Sequence, residues 1–330
     1  MRSLVYGVLV TVMAIGCVGG SCTRGSGGNA NSPSGDSGKQ GPGTLSAGNS
    51  NAQVAGPGNE GAGTTKDGSG EDTTNVSADP DASDAMIIKV ENDVRLKRKG
   101  QSDFVQIPGG MFRSGDLLRV GASSAAFADC SDSVCKLDTG DFSTCCRPAC
   151  ATRIALGPAP TAPTRPTVAI NELPNNEQQE LRTSETQIRA LGADDITTQF
   201  LIASLYSAWK VKEAKVEVDK FSEKLNDPEA SQKLRTLYWP MVKKNGDLYN
   251  RLGNKGQAEQ TYKKLTEAPD SEDRQTKAAA HVALGQIQIE NGKKAEAIQN
   301  LQKGQQLYEV EGNHTKAENV RTSINKIQRQ

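Results

Sequence analysis

Between Trp239 and Gln330 small and apolar residues return in one order twice. Gly246, Leu248, Tyr249, Gly253, Ala258 and Tyr262 are matched by Gly285, Ile287, Gln288, Gly292, Ala297 and Leu301, in register except where Gln288 stands opposite Tyr249. A small residue on one helix and another twelve positions later, with a glycine between them, predict two helices that approach closely across a short turn. A degenerate earlier unit runs through Ala203-Ser204-Leu205-Tyr206 to Ala214, its turn one residue shorter and without glycine. Ahead of it Leu181, Ile188 and Leu191 fall at helical spacing and Gly192 is a stop signal, which predicts a lead-in helix from Asn175. Ala317, Val320, Ile324 and Ile327 form the stripe of a final helix that covers the open end. A helical repeat domain is therefore expected over 173–330.

From 86 to 156 the pattern changes to strand-length apolar runs separated by Gly and Asp: Ile87-Ile88-Lys89-Val90, Val94-Arg95-Leu96, Phe104-Val105-Gln106-Ile107, Leu117-Leu118-Arg119-Val120 and Ala126-Phe127. They predict a compact antiparallel sheet or sandwich. The Pro-rich stretch from Gly157 to Pro166 continues neither helix nor central strand, so 157–172 is expected to be a semi-rigid linker between two domains. Upstream, 23–85 is mostly Gly, Ser, Asn, Asp, Thr and Pro, with Leu45, Val54 and Val76 as its only large aliphatic residues. Such a segment buries too little apolar surface to offset its conformational entropy and is expected to be a disordered tether, with a reach of roughly 40 to 50 Å. Met1-Arg2 and the uncharged run Leu4–Gly16 have the form of a signal peptide, over 1–22, and the run is too short to span a bilayer.

Composition narrows the function. The chain has 330 residues, of which 33 are glycine and only 4% aromatic, so much of it builds no core. Its 39 basic and 39 acidic residues cancel, leaving no global field to steer it to nucleic acid. The histidines are His281 and His314, and there is no Walker loop, no G-x-S-x-G elbow and no H-E-x-x-H. No catalytic, cofactor or metal site is expected, and His281 reads as a packed histidine of a first helix.

Five cysteines, Cys130, Cys135, Cys145, Cys146 and Cys150, crowd into one short stretch. In an exported domain with a thin core they predict disulfides. At most two bridges form, and choosing the odd thiol and pairing the rest leaves fifteen connectivities open. Bonding of Cys130 or Cys135 to Cys145 or Cys146 would tie the hairpin to the next strand, and the leftover thiol is free to bridge to a second chain. A four-thiolate zinc site is the alternative, although paired C-x2-C knuckles are absent, and Cys145-Cys146 is not a redox C-x-x-C motif.

Three stretches resemble known families. Ala14-Ile15-Gly16-Cys17 resembles the lipobox of bacterial lipoproteins, which implies lipidation at Cys17; Cys22 after Gly20-Ser21 is a second candidate. Gly115-Asp116-Leu117-Leu118-Arg119-Val120-Gly121 with Ala122 to Ala126 resembles the core of FecR-type domains over about 50 residues, with Cys130 to Cys135 where that family commonly carries an Asp-Gly-Ser hairpin. The repeated spacing resembles tetratricopeptide repeats, the third unit being similar to the longer variety of about 40 residues. The whole of 86–330 is similar to exported bacterial proteins that join a FecR-like domain to tetratricopeptide repeats. The implied fold is a small all-β domain plus an α-helical solenoid, an α-α superhelix. The implied function is a non-catalytic scaffold of the cell envelope, lipid-anchored to a bacterial membrane at the outer membrane or cell surface, that binds a protein or peptide. In peptide-binding relatives first-helix residues line the groove; here these are Lys243, Asp247 and Asn250 in the second unit and Val282, Gln286 and Ile289 in the third. Alternatively the polar four are merely exposed and Val282 and Ile289 pack inside. A sensor that uses the FecR-like domain and a surface adhesin or cell-wall binder are the competing functions.

Overall fold

A computed structural model describes residues 84–146, 149–158, 166–269 and 273–329. The expected signal peptide, Cys17 and Cys22, nearly all of the tether, and the proline-rich stretch 159–165 lie outside these residues.

Among the described residues nine strands form two antiparallel sheets: β1 (Ala85–Glu91), β2 (Val94–Lys97), β3 (Val105–Gln106), β4 (Gly110–Phe112), β5 (Leu117–Val120), β6 (Ala125–Asp129), β7 (Ser133–Leu137), β8 (Gly140–Phe142) and β9 (Thr152–Ala155). The five-stranded sheet has the order β4-β1-β6-β7-β9 and the four-stranded sheet β3-β2-β5-β8. Side-chain alternation sends Ala85, Ile87, Ala126, Ala128 and Leu137 inward to meet Val94, Leu96, Leu118 and Val120 of the other sheet. The Gly115-Asp116 turn that opens β5 is held from inside. Gly115 takes a left-handed φ of 88°, and the buried Asp116 carboxylate accepts from the amides of Lys99 and Arg113 and from Arg98.

The opposite face of the five-stranded sheet is not solvated. Met86, Ile88, Ala125, Phe127, Val134 and Ile154 share one continuous apolar cluster with helical residues such as Ile188, Phe200, Leu237 and Met241. Strand β6 is consequently buried on both faces, which is why it reads Ala-Ala-Phe-Ala without polar alternation.

The helices are α1 (Asn175–Ala190), α2 (Asp195–Ala208), α3 (Ala214–Leu225), α4 (Ala230–Leu234), α5 (Tyr238–Arg251), α6 (Lys255–Thr266), α7 (Arg274–Glu290), α8 (Lys294–Val310) and α9 (His314–Arg329). The side chains of Asp194, Asn254 and Asp273 cap α2, α6 and α7 by accepting from the amide three residues on. Gly253 and Gly292 both take φ of 74° in the turns between paired helices, a conformation that favours glycine. The close approach expected of Gly246 and Gly285 is severe: a Cβ would lie 2.5 Å from Tyr262 Cε1 at the first and 2.9 Å from Leu301 Cγ at the second. Ala317, Val320, Ile324 and Ile327 of α9 cover the α7–α8 pair. Among the described residues no helix is long and apolar enough to cross a membrane.

Of the expected linker over 157–172, the described residues from Val168 to Glu172 are packed against the helices. Val168 bridges to Val211, with Lys212 N donating to its carbonyl at 2.8 Å, and Ile170–Glu172 is a 3-10 turn whose first amide meets Glu213. Sheet and helices share a core because both offer an apolar face that water would otherwise cover. One further element had no signal in the repeat spacing. Helix α4 and the 3-10 turn Arg235–Leu237 lie between α3 and α5, where Thr236 Oγ1 donates to Gly109 O at 3.2 Å.

Candidate partner-binding face of the helical repeats

The six expected groove residues lie on α5 and α7, one first helix of each unit, and the structure treats them unequally. Lys243 and Asp247 sit one turn apart and pair at 2.7 Å. The other Asp247 oxygen accepts from Tyr262 Oη at 2.7 Å, which ties Asp247 into the α5–α6 packing. Burial and the adjacent carboxylate push the Tyr262 hydroxyl far up, so it remains a donor. Val282 is drawn against α8, where Gly304 leaves it room: a Cβ there would lie 2.8 Å from Val282 Cγ2. Asn250 is exposed, Gln286 half-buried, and Ile289 is 39% exposed although the alternative packed it inside. Asn250, Gln286 and Ile289 thus remain as uncharged, solvent-accessible residues of the two first helices, with Lys243 half-buried two turns before Asn250.

Sequence reasoning missed what closes the rest of this face. Lys244, next to Lys243, turns to the five-stranded sheet and forms an ion pair with Asp129 at 3.0 Å. Burial, the largest single influence, disfavours its ammonium, but the charges of Asp129 and Asp247 and the bond to Asp129 together outweigh that and raise its pKa. At other points of the sheet–helix contact Lys89 Nζ donates to Leu191 O, Arg113 pairs with Asp273 at the start of α7, and Lys316 of α9 pairs with Asp84 at 2.7 Å. The sheet therefore occupies part of the surface that the first helices would otherwise offer. A lysine on a helix reads as solvated, so the spacing held no signal of this.

In the third unit Gln288 replaces a tyrosine, and a polar chain fills the space. Asn300 Nδ2 donates to Gln288 Oε1 at 2.9 Å, Gln288 Nε2 donates to Glu296 Oε2 at 3.2 Å, and Asn300 Oδ1 lies 3.0 Å from His281 Nδ1. Burial holds the His281 pKa below its ordinary 6.5, against the opposing effect of Asn300. A depressed folded pKa means that the unfolded chain binds the extra proton first. The contribution is complete above about pH 6.5 and is lost as pH falls through the lower folded value. Urea midpoints are accordingly expected to drop between pH 7.5 and pH 5, and His281→Gln to flatten that drop; an unchanged slope would show that His281 is not its source.

The structure joins Cys130 to Cys146 and Cys135 to Cys150, with Cα separations of 5.8 and 5.1 Å. The first pairing lies within the range weighed from sequence. The second brings in Cys150, because β9 pairs alongside β7 with Arg153 opposite Cys135. Cys145 keeps a free thiol, but it is fully buried between the sheets and desolvation pushes its pKa far up. The expected bridge from the odd thiol to a second chain is thereby corrected: in the folded protein it is out of reach.

The tetratricopeptide repeat family model matches residues 246–271 and 278–311. The C-terminal region carries tetratricopeptide repeats. The matched stretches take in the second half of α5, α6, and nearly all of α7 and α8; the degenerate α2–α3 unit lies outside both. No curated protein and no solved structure matches the chain.

Proposed function

We propose that this chain is a non-catalytic scaffold of the bacterial cell envelope that holds a protein or peptide partner on its tetratricopeptide repeats. The observation that carries the reading is the pair of matched repeats, whose first helices leave Asn250, Gln286 and Ile289 accessible. Uncharged amides and one aliphatic side chain suit the backbone and an apolar residue of an extended peptide better than a carboxylate terminus. A lipid anchor and a location at the outer membrane or cell surface are supported by the apolar run Leu4–Gly16 and by Cys17, the proposed lipidation site. The β region is read as FecR-like on its Gly115-Asp116 turn, whose buried carboxylate organises the start of β5.

Pull-down from envelope extract with the full lipidated chain tests this reading against the triple variant Lys243→Ala, Asn250→Ala, Gln286→Ala. A few central residues carry most of an interface's energy, about 2 kcal/mol or more each, so loss of all three side chains is expected to lower capture at least tenfold. Equal capture by variant and wild type would dispose of the groove. Sedimentation with purified peptidoglycan in its place would favour a cell-wall binder.

The shared core supports a second reading, a sensor. A ligand on the β region would act on helices fused to it, and a small molecule that raises the thermal transition of the full chain would favour that function.

A further inference from the structure

The two sheets differ in how their edges are closed. In the five-stranded sheet the 3-10 turn Arg235–Leu237 lies against β4, with Thr236 Oγ1 on Gly109 O, and α1 lies against β9. In the four-stranded sheet β3 is an edge without such a cover. Val105 pairs with Leu96 of β2, and Ile107 N donates to Val94 O at 3.1 Å. Alternation along an antiparallel pair then turns the amides and carbonyls of Phe104 and Gln106 away from β2. Among the described residues no other strand meets them. Two amides and two carbonyls are left facing outward, at a place where native sheets usually hide such groups.

The side chains on this edge sort by face. Val105 follows Leu96 toward the core side but is 59% exposed, the most exposed large apolar side chain of the β region, because no strand lies beyond it. Phe104 stands on the outer face, where the Arg119 guanidinium lies 4.1 Å from its ring centre and Lys97 Nζ lies at 5.7 Å. These cations reach the edge strand from β5 and β2. Arg119 is compensated by Asp141 and Arg95 by Asp93, each at 2.8 Å. Lys97 has no carboxylate partner among the described residues, and the carboxylate of Asp103, just before Phe104, accepts from Ser102 Oγ at 2.7 Å. The edge therefore offers hydrogen bonds to a backbone, an apolar side chain on one face, and an uncompensated positive charge beside an aromatic ring on the other.

We propose that the free edge of β3 is a docking site for an extended segment of a partner protein, which adds to the four-stranded sheet as a further strand with apolar residues on the face of Val105 and acidic residues on the face of Phe104 and Lys97. Backbone bonds to Phe104 and Gln106 set its register, and the period of two along a strand separates its apolar side chains from its carboxylates. The site belongs to the β region and does not depend on the groove of the repeats.

Fluorescence anisotropy of a labelled peptide of alternating valine and glutamate, titrated with the full chain, tests this beside a peptide of alternating valine and lysine. The glutamate peptide is expected to bind about tenfold tighter or more, and to slow hydrogen exchange at the amides of Phe104 and Gln106. Gln106→Pro removes one outward amide and leaves the bonds of Val105 and Ile107 to β2 in place. It is expected to weaken binding about tenfold without moving the thermal transition. The exchange readout needs no variant, so it decides even where proline disturbs the strand. Binding of neither peptide, equal binding of both, or exchange over 104–107 that the bound peptide leaves unchanged would overturn the proposal. Loss of binding in the Lys243→Ala, Asn250→Ala, Gln286→Ala variant would overturn it too and move the site to the repeats. Binding that appears only after removal of 71–83, which carries Glu71, Asp72, Asp79 and Asp81, would also overturn it and give the edge to this chain's own acidic segment.

Discussion

Gly246→Ala is expected to lower the stability of the full chain by about 3 kcal/mol. The new Cβ would fall 2.5 to 2.9 Å from three ring atoms of Tyr262. That ring is 1% exposed and its hydroxyl is fixed on Asp247, so it has no rotamer to escape to. Overpacking of this kind costs up to about 3 kcal/mol, a strained hydrogen bond adds roughly 1, and the better helix propensity of alanine returns about 1. Gly256→Ala is the control, because nothing lies within 4 Å of its Cβ in α6; it is expected to be neutral or to stabilise by up to about 1 kcal/mol. Urea denaturation distinguishes the two, and equal midpoints for Gly246→Ala and wild type would refute the close approach of α5 and α6.

Asp129→Ala is expected to cost a similar amount for a different reason. Removing one member of a buried ion pair leaves the other charge without compensation, and the lower end of the usual range, about 3 kcal/mol, applies because Lys244 keeps 27% of its side chain exposed. Asp129→Leu combined with Lys244→Met removes both charges and should recover most of that loss. A single variant that costs under about 1 kcal/mol, or a double variant no better than the single, would mean that water already satisfies Lys244.

What the sequence made legible and what it did not follow from how locally each feature is encoded. Gly246 with Ala258 and Gly285 with Ala297 announce the helix pairs because close helix approach leaves no space for larger side chains at those spacings. The turn glycines, the lead-in helix and α9 were readable for the same reason. The union of sheet and helices was signalled by the unbroken apolar runs of β1 and β6, which mark strands covered on both sides. Lys244 was illegible, since its partner Asp129 lies more than a hundred positions away and neither residue type differs from those on solvated surfaces. Among the groove residues, Asp247 and Val282 are engaged by Tyr262 and Gly304, contacts between helices that a single-helix register does not display. Disulfide connectivity required the strand order, which placed Arg153 opposite Cys135 and so brought Cys150 within reach.

The core shared by sheet and helices implies that the described residues unfold as one cooperative body, and calorimetry of the full chain addresses this most directly. Phe127→Ala acts in β6 where the sheet meets the helices, and Gly246→Ala acts within the repeats. The shared core predicts a single transition, with calorimetric and van't Hoff enthalpies in agreement, that both substitutions shift downward as a whole. Two transitions, of which Phe127→Ala moves one and Gly246→Ala only the other, would contradict it.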